Sequence, residues 1–101
     1  MTISNVQLKG NLYTVFDSNG KKAKEMSAFV VGTLCGFGSD FIVFRHGNLY
    51  GIYAEDGRKI KDLAVSVVGD FKNASGDTIV FRNGSLLDTY DRNGILREAL
   101  D

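Results

Sequence analysis

The sequence predicts an all-β fold, and three observations support this class. Its apolar stretches are short, rich in Phe, Ile and Val, and none keeps a helical period over several turns. Tight-turn pairs recur at Asn19-Gly20, Asp56-Gly57 and Asn93-Gly94, where Gly tolerates the positive φ of a hairpin turn. Similar segments also return at a constant step of 37 residues. Such a step is typical of architectures built from small supersecondary units.

The step of 37 residues divides the chain into three tandem units. Phe41–Tyr50 resembles Thr78–Leu87, and Gly10–Tyr13 matches Gly47–Tyr50 residue for residue. The first two units share 11 identities in 37 positions, and the second and third share 10 in 25, without gaps. We therefore expect a single all-β repeat domain over residues 1–101. Its units are 3–39, 40–76 and a truncated 77–101.

Each unit is predicted to be an antiparallel meander of four strands, about 11 strands in all because the last unit is short. The strands of the middle unit are Asp40–Arg45, Leu49–Ala54, Arg58–Leu63 and Val65–Phe71, followed by a loop over 72–77. The last segment, Ile95–Leu100, is predicted as a strand although it contains good helix formers. Phe44 and Phe81 hold the same place in their units, so both are expected to be buried.

Four-stranded units near this length are typical of β-propeller blades, which have about 40–45 residues in one common type. Fewer than three full units cannot close a ring that needs roughly four to eight blades. A β-trefoil-like fold and a rolled open sheet are the alternatives. The first predicted strand, Ile3–Lys9, carries little charge and no Pro, so its edge is unprotected. This favours pairing with a second copy of the chain, as a homo-oligomer. Pairing with the chain's own other end is the alternative.

A hairpin in the middle unit carries a resemblance to a known family. Gly47–Ile60 contains an apolar strand with Gly, an Asp-Gly turn and a strand with Lys. It resembles the hairpin of bacterial WG-type repeats, which occur in tandem with a similar period. Tyr90–Gly94 is similar to the YD repeat. Both resemblances imply a scaffold or binding role, and neither implies a catalytic residue.

Composition narrows the function further. The 12 basic and 12 acidic residues give zero net charge, which argues against a dedicated binder of nucleic acid or of anionic membranes. No stretch approaches the roughly 18 apolar residues of a membrane span, and no basic region followed by an apolar run marks a secretory signal. The single Cys fits a reducing compartment. We therefore expect a soluble, cytoplasmic protein with a protein partner and no cofactor.

Three features could carry chemistry, and each has a simpler structural explanation. Cys35 and His46 are the one thiol–imidazole pair, but no motif surrounds them, so a strand Cys and a surface His are expected. The glycines of Gly32–Gly38 precede a strand rather than the helix of a phosphate loop. Asp17–Gly20 and Asp91–Gly94 offer oxygens of the kind that calcium uses, but hairpin turns explain them. The sequence therefore predicts neither an enzyme nor a metal site.

Two residue types recur at matching places and form a candidate binding surface. They are Tyr13, Tyr50, Tyr53, Tyr90, Lys22, Lys24, Lys59 and Lys61. Tyr offers a flat apolar face with a polar tip, and the lysines are expected to share one face of the third strand of each unit. Core packing for Tyr and a solvated, edge-protecting face for Lys are the alternatives. We predict a non-enzymatic protein–protein interaction scaffold, with a carbohydrate- or polyanion-binding module as the alternative.

Overall fold

The computed structural model of the protein describes residues 2–100, and for residues 99 and 100 it describes the backbone alone. Met1 and Asp101, the ends of the predicted domain, lie outside the described residues. The described chain contains eleven strands and two single helical turns. In chain order they are β1 (Ile3–Lys9), β2 (Leu12–Asp17), β3 (Lys22–Ser27), α1 (Ala28–Val31), β4 (Thr33–Phe37), β5 (Phe41–His46), β6 (Leu49–Ala54), β7 (Lys59–Ala64), α2 (Val65–Val68), β8 (Asp70–Ser75), β9 (Thr78–Asn83), β10 (Leu86–Asp91) and β11 (Leu96–Leu100).

The strands form three separate antiparallel sheets, none of them closed within the described chain, so the prediction of an all-β fold is confirmed. The first sheet has the order β1-β2-β3, the second β4-β5-β6-β7 and the third β8-β9-β10-β11. The alternative of one rolled sheet is therefore wrong. The sheets also cross the predicted unit boundaries, because β4 and β8 pair with the strand that follows them. The incomplete sheet is consequently the first, whereas the sequence predicted a truncated third unit.

The predicted strand Val65–Phe71 is wrong, because the structure has the helical turn α2 followed by β8. Val68 is buried while Val67 is 63% exposed, so the turn anchors one valine in the core and directs the other to solvent. β-branched residues favour strands, but this preference is weak and depends on packing. Strand pairing begins only at Asp70 and continues through most of the predicted loop.

Glycine ends both helical turns. Gly32 and Gly69 have φ values of 92° and 89°, which L side chains rarely adopt. Each donates its N–H to the carbonyl of the first residue of its turn, over 2.9 and 2.8 Å respectively. A Cβ at either position would overlap the backbone carbonyl of Arg45 or Arg82. The close approach of two backbones therefore requires Gly after each Val-Val pair.

Two apolar cores lie between the sheets. Phe44 belongs to the core between the first and second sheets, and Phe81 to the core between the second and third. Both are fully buried, as predicted. The centre of the Phe44 ring lies 4.9 Å from that of Tyr13, and the Phe81 ring lies 4.9 Å from that of Tyr50. The second sheet thus contributes to both cores.

Backbone hydrogen bonds join the sheets near the loop that precedes β5. Ile3 donates its N–H to the Ser39 carbonyl over 2.6 Å, and Ser39 donates its own N–H to the Gly76 carbonyl over 2.7 Å. Nearby, β4 and β8 lie side by side, with Gly36 against the ring of Phe71. A side chain at Gly36 would collide with this ring, so the residue keeps the two strands close.

Candidate interaction surface

The two ends of the sheets differ in chemistry, and the helical turns mark one of them. Ala28 of α1 donates its N–H to the carbonyl of Asn11 in the β1–β2 turn, over 2.8 Å. Val65 of α2 donates in the same way to Asn48 in the β5–β6 turn, over 2.9 Å. Both helical turns are therefore held beside short turns of the sheets. We call this region the helical-turn end.

Large apolar side chains are exposed at the helical-turn end. Phe29 is 76% exposed, Val30 69%, Val67 63% and Leu49 43%. Val31, the last residue of α1, is buried and anchors the turn that carries Phe29 and Val30. Single exposed apolar residues are ordinary, but several of them at one end of the sheets, two on the anchored turn α1, mark a surface that another molecule can cover.

A groove of about 230 Å³ runs beside these residues, between α1 and the second sheet. Val30, His46 and Leu49 line its mouth together with Tyr53, Lys59 and Asp62. Lys59 Nζ lies 3.3 Å from Asp62 Oδ1 and 5.7 Å from the centre of the Tyr53 ring. The hydrogen bond to Asp62 raises the pKa of Lys59, and the nearby Tyr53 phenol adds to the effect. The groove therefore joins an apolar rim to a lysine held by an aromatic ring and a carboxylate.

The opposite end of the sheets is charged. A cavity of about 350 Å³ there is lined by Asp17, Lys21, Lys22, Ala23, Glu55 and Asp56. The Asp17 carboxylate accepts the N–H groups of Asn19 and Lys21 over 2.9 and 3.0 Å, so it shapes its own turn. Asp91 does the same in the third sheet. Among residues 2–100, no group of three His, Cys, Asp or Glu side chains is arranged to hold a metal ion.

The predicted tyrosines lie in the cores. Tyr13, Tyr50, Tyr53 and Tyr90 are all less than a tenth exposed. The Tyr13 hydroxyl donates to the Gly32 carbonyl over 3.0 Å and accepts the Leu34 N–H over 3.1 Å. The Tyr50 hydroxyl makes the same two bonds in the next sheet. These positions match the alternative of core packing, because buried rings present no flat face to a sugar.

The predicted lysine stripe is wrong. The lysines concerned are Lys22, Lys24, Lys59 and Lys61, and all are exposed. A β-bulge in the pairing of β2 with β3 sets Lys22 opposite Phe16 and Lys24 opposite Val15. Phe16 and Val15 are consecutive and point to opposite faces of the sheet, so the two lysines do as well. The second sheet has the same bulge, with the same result.

The structure separates Cys35 from His46. Cys35 is the bulged residue of β4 and is half-buried against the second core, with Thr33 as its hydrogen-bond acceptor over 3.9 Å. Burial raises the pKa of the Cys35 thiol, and the charge of Arg45 opposes this only in part. His46 is exposed at the end of β5 and lines the groove, where Cys35 has no part. A neutral thiol away from an imidazole is a poor nucleophile.

The sequence did carry a signal for the exposed apolar group. Adjacent apolar residues followed by Gly occur at Val30-Val31-Gly32 and Val67-Val68-Gly69. Gly after an apolar pair is a helix-ending signal as well as a strand-ending one. Only the helical interpretation directs the first valine of each pair to solvent, as the structure has it.

Comparison with known proteins assigns no family to this arrangement. No protein-family model matches the chain, and no curated protein matches its sequence. Within residues 2–100 both helices are single turns, and neither has the length or apolar character needed to cross a bilayer.

Proposed function

We propose that this protein is a soluble, cytoplasmic, non-enzymatic interaction module, in which propeller-blade-like tandem repeats form a scaffold for protein–protein contact. The observation that carries the proposal is the exposed apolar group at the helical-turn end, with Phe29, Val30 and Val67 as its most exposed members. The proposal gives no catalytic role to Cys35 or His46.

Energetics support an interface at this end. Burying one large apolar side chain stabilises a complex by about 1.5–3 kcal/mol before the costs of association. Aromatic residues and Arg are enriched in interface centres. The backbone of Arg45 lies against Gly32, the residue that ends α1. The Arg45 guanidinium lies 5.9 Å from the centre of the Tyr50 ring, and its Nε donates to the Gly47 carbonyl over 3.2 Å. These contacts order the side chain before binding, which lowers the entropic cost.

A second copy of the chain is the partner to test first. In the described chain β1 is one of six edge strands, each paired on one side only, and its sequence carries a single charged residue and no Pro. An open strand edge of this kind invites pairing with another chain. No specific observation favours the sugar or polyanion alternative, because the tyrosine rings are buried and the lysines are divided between two faces.

Sedimentation velocity over a range of protein concentrations tests the proposal. We expect the wild-type protein to associate, and the double variant Phe29→Ser, Val30→Ser to remain an 11.0 kDa monomer. Ile95→Ser is the matched control, because Ile95 is 52% exposed at the opposite end. The control variant should associate like the wild type.

Two results would contradict this assignment. A wild-type protein that stays monomeric at every concentration would contradict the proposal that a second copy of the chain is the partner. Association that survives in the double variant but is lost with Ile95→Ser would place the interface at the charged end. Circular dichroism of each variant checks that the fold is retained.

A further inference from the structure

A cross-strand pair at the same position in each sheet carries a carboxylate, on the last strand of the hairpin in the first two sheets and on the strand before it in the third. The three pairs lie 37 residues apart in the sequence. Each joins one strand to the strand that follows it: β2 to β3, β6 to β7 and β10 to β11. They are Thr14 with Glu25, Gly51 with Asp62, and Asp88 with Ala99. An aromatic residue stands two positions after the first member of each pair. These residues are Phe16, Tyr53 and Tyr90.

In the first two sheets a lysine of the same chain neutralises this carboxylate. Lys22 Nζ lies 3.5 Å from Glu25 Oε2, and Lys59 Nζ lies 3.3 Å from Asp62 Oδ1. Each lysine is the cross-strand partner of the aromatic residue of its sheet. In the second sheet the Lys59 ammonium also lies over the Tyr53 ring, which adds a cation–π contact. Cation, ring and carboxylate therefore form one small unit.

The third sheet has the ring and the carboxylate without the cation. Leu96 is the cross-strand partner of Tyr90, in the place of Lys22 and Lys59. Asp88 is only 8% exposed, and among the described residues its Oδ1 atom accepts no hydrogen bond. A buried carboxylate oxygen without a donor is costly, so such groups are ordinarily paired.

The surroundings of Asp88 suit a positive charge. It lies opposite Phe81, on the face of the sheet that also carries Tyr90. Burial raises the pKa of Tyr90, and the negative charge of Asp88 raises it further, which indicates that the two groups are close. Leu96 is 50% exposed, so its side chain can rotate toward solvent without breaking the pairing of β10 with β11.

We propose that Asp88 and Tyr90 form a site for the ammonium group of a lysine on a partner polypeptide. The inference rests on the proposed function as an interaction module and specifies the chemistry of one contact. The incoming ammonium lies beside both the Asp88 carboxylate and the Tyr90 ring, as Lys59 Nζ lies beside Asp62 and Tyr53, but here the acceptor stands on β10 and not on the strand that follows it. The lysine methylenes lie along Leu96, which supplies an apolar wall.

Titration by heteronuclear NMR tests this site with a capped pentapeptide that has lysine at its centre and alanine on both sides. We expect amide shifts around Asp88 and Tyr90, and affinity at least about tenfold weaker for Asp88→Asn, because the charge-assisted bond is lost. Glu98→Gln is the control, since Glu98 is an exposed carboxylate on β11 and its loss changes the net charge equally. The same peptide with norleucine at its centre should not bind.

A second variant supplies the missing cation from within the chain. Leu96→Lys should abolish peptide binding and raise the melting temperature, whereas Leu96→Gln should not raise it. This arm does not depend on the folding of Asp88→Asn. Equal affinity for butylammonium and the peptide would overturn the partner-lysine assignment in favour of a free amine.

The outcomes separate this inference from the proposed function. Unchanged binding by Asp88→Asn, or no binding by the wild type, would overturn the lysine site. If sedimentation still showed association that depends on Phe29 and Val30, the interaction module would stand without it. Conversely, Phe29→Ser should leave lysine-peptide binding intact, because Phe29 belongs to α1 and the site lies in the third sheet.

Discussion

The second sheet buries both of its faces, whereas the first sheet buries one. In β5 the consecutive residues Phe41–Phe44 have no exposed surface. At the places of Ile42 and Phe44, 37 residues earlier, β1 has Asn5 and Gln7, and both are exposed. The intervening Val6 is buried at 7% exposure. The polar residues Asn5 and Gln7 thus match the solvated face of the first sheet, where the second sheet has a further core.

Truncation of Phe44 should give the largest effect in this comparison. We expect Phe44→Ala to lower the free energy of unfolding by about 3–5 kcal/mol, because a fully buried ring leaves a cavity in the first core. Gln7→Ala, at the matching place in β1, should change it by less than about 0.5 kcal/mol. Urea denaturation of both variants measures the difference. Similar losses of unfolding free energy for the two variants would contradict the conclusion that the second sheet buries both faces and the first sheet only one.

The Tyr50 hydroxyl distinguishes the second sheet from the third. Tyr50→Phe leaves the Phe71 N–H and the Gly69 carbonyl without their partner, at a cost of about 1–3 kcal/mol. The third sheet has Leu87 at the matching place, 39% exposed. Leu87→Ala should therefore cost less than Tyr50→Phe in the same denaturation experiment. A larger loss for Leu87→Ala would show that the outer face of the third sheet is packed in solution.

The end of β10 should respond to acid where the end of β6 does not. Burial alone would raise the pKa of Asp91, but hydrogen bonds from the Ile95 N–H, Arg97 and the Asn93 N–H outweigh it and lower this pKa below its usual 3.8. The middle sheet has Ala54 at the matching place.

The sign of the pH effect follows from the lowered pKa. A carboxylate whose pKa is lower in the folded state stabilises the fold above pH 3.8, and this stabilisation is lost as the pH falls through the folded-state value. Asp91→Asn should therefore lose stability at neutral pH and show a shallower decline below pH 4. Thermal melts from pH 2 to 7 check this, with the exposed Asp77→Asn as control. Parallel acid limbs for wild type and Asp91→Asn would contradict it.

Replacement of Cys35 should give the smallest effect. It is the bulged residue of β4, and the bulged residue of β8 is Lys72, so the position does not require an apolar side chain. We expect Cys35→Ser to change the melting temperature by less than about 3 °C, since a substitution that costs well under 1 kcal/mol shifts it by no more. Calorimetry decides the matter. A larger drop in the melting temperature, or a loss of binding, would indicate that the Cys35 thiol has a structural or functional role.

Part of the interaction surface could be predicted from residue types and part could not. The Lys and Tyr residues were visible in the sequence, but their directions depend on bulges and on neighbouring sheets. Asp88 attracts attention only by comparison with the other two units. Those units have Lys22 and Lys59 where the third unit has Leu96, so the absence of a lysine beside Asp88 is seen from the aligned positions. Periodicity reports which residues alternate within a strand, and it cannot report which strand lies opposite.

Local features of the sequence specify most of the strands and most of their cores. Asn-Gly and Asp-Gly turns and apolar runs are local features, so the hairpin β6–β7 and the burial of Phe44 and Phe81 follow from nearby residues. How the strands are shared between the sheets depends on tertiary contacts. β4 could have paired with β3 by proximity in the chain, but the helical turn α1 redirects it to β5. That choice depends on the burial of Val31 and on the close backbone approach at Gly32, which are contacts between residues distant in the chain and cannot be deduced from alternation within one strand.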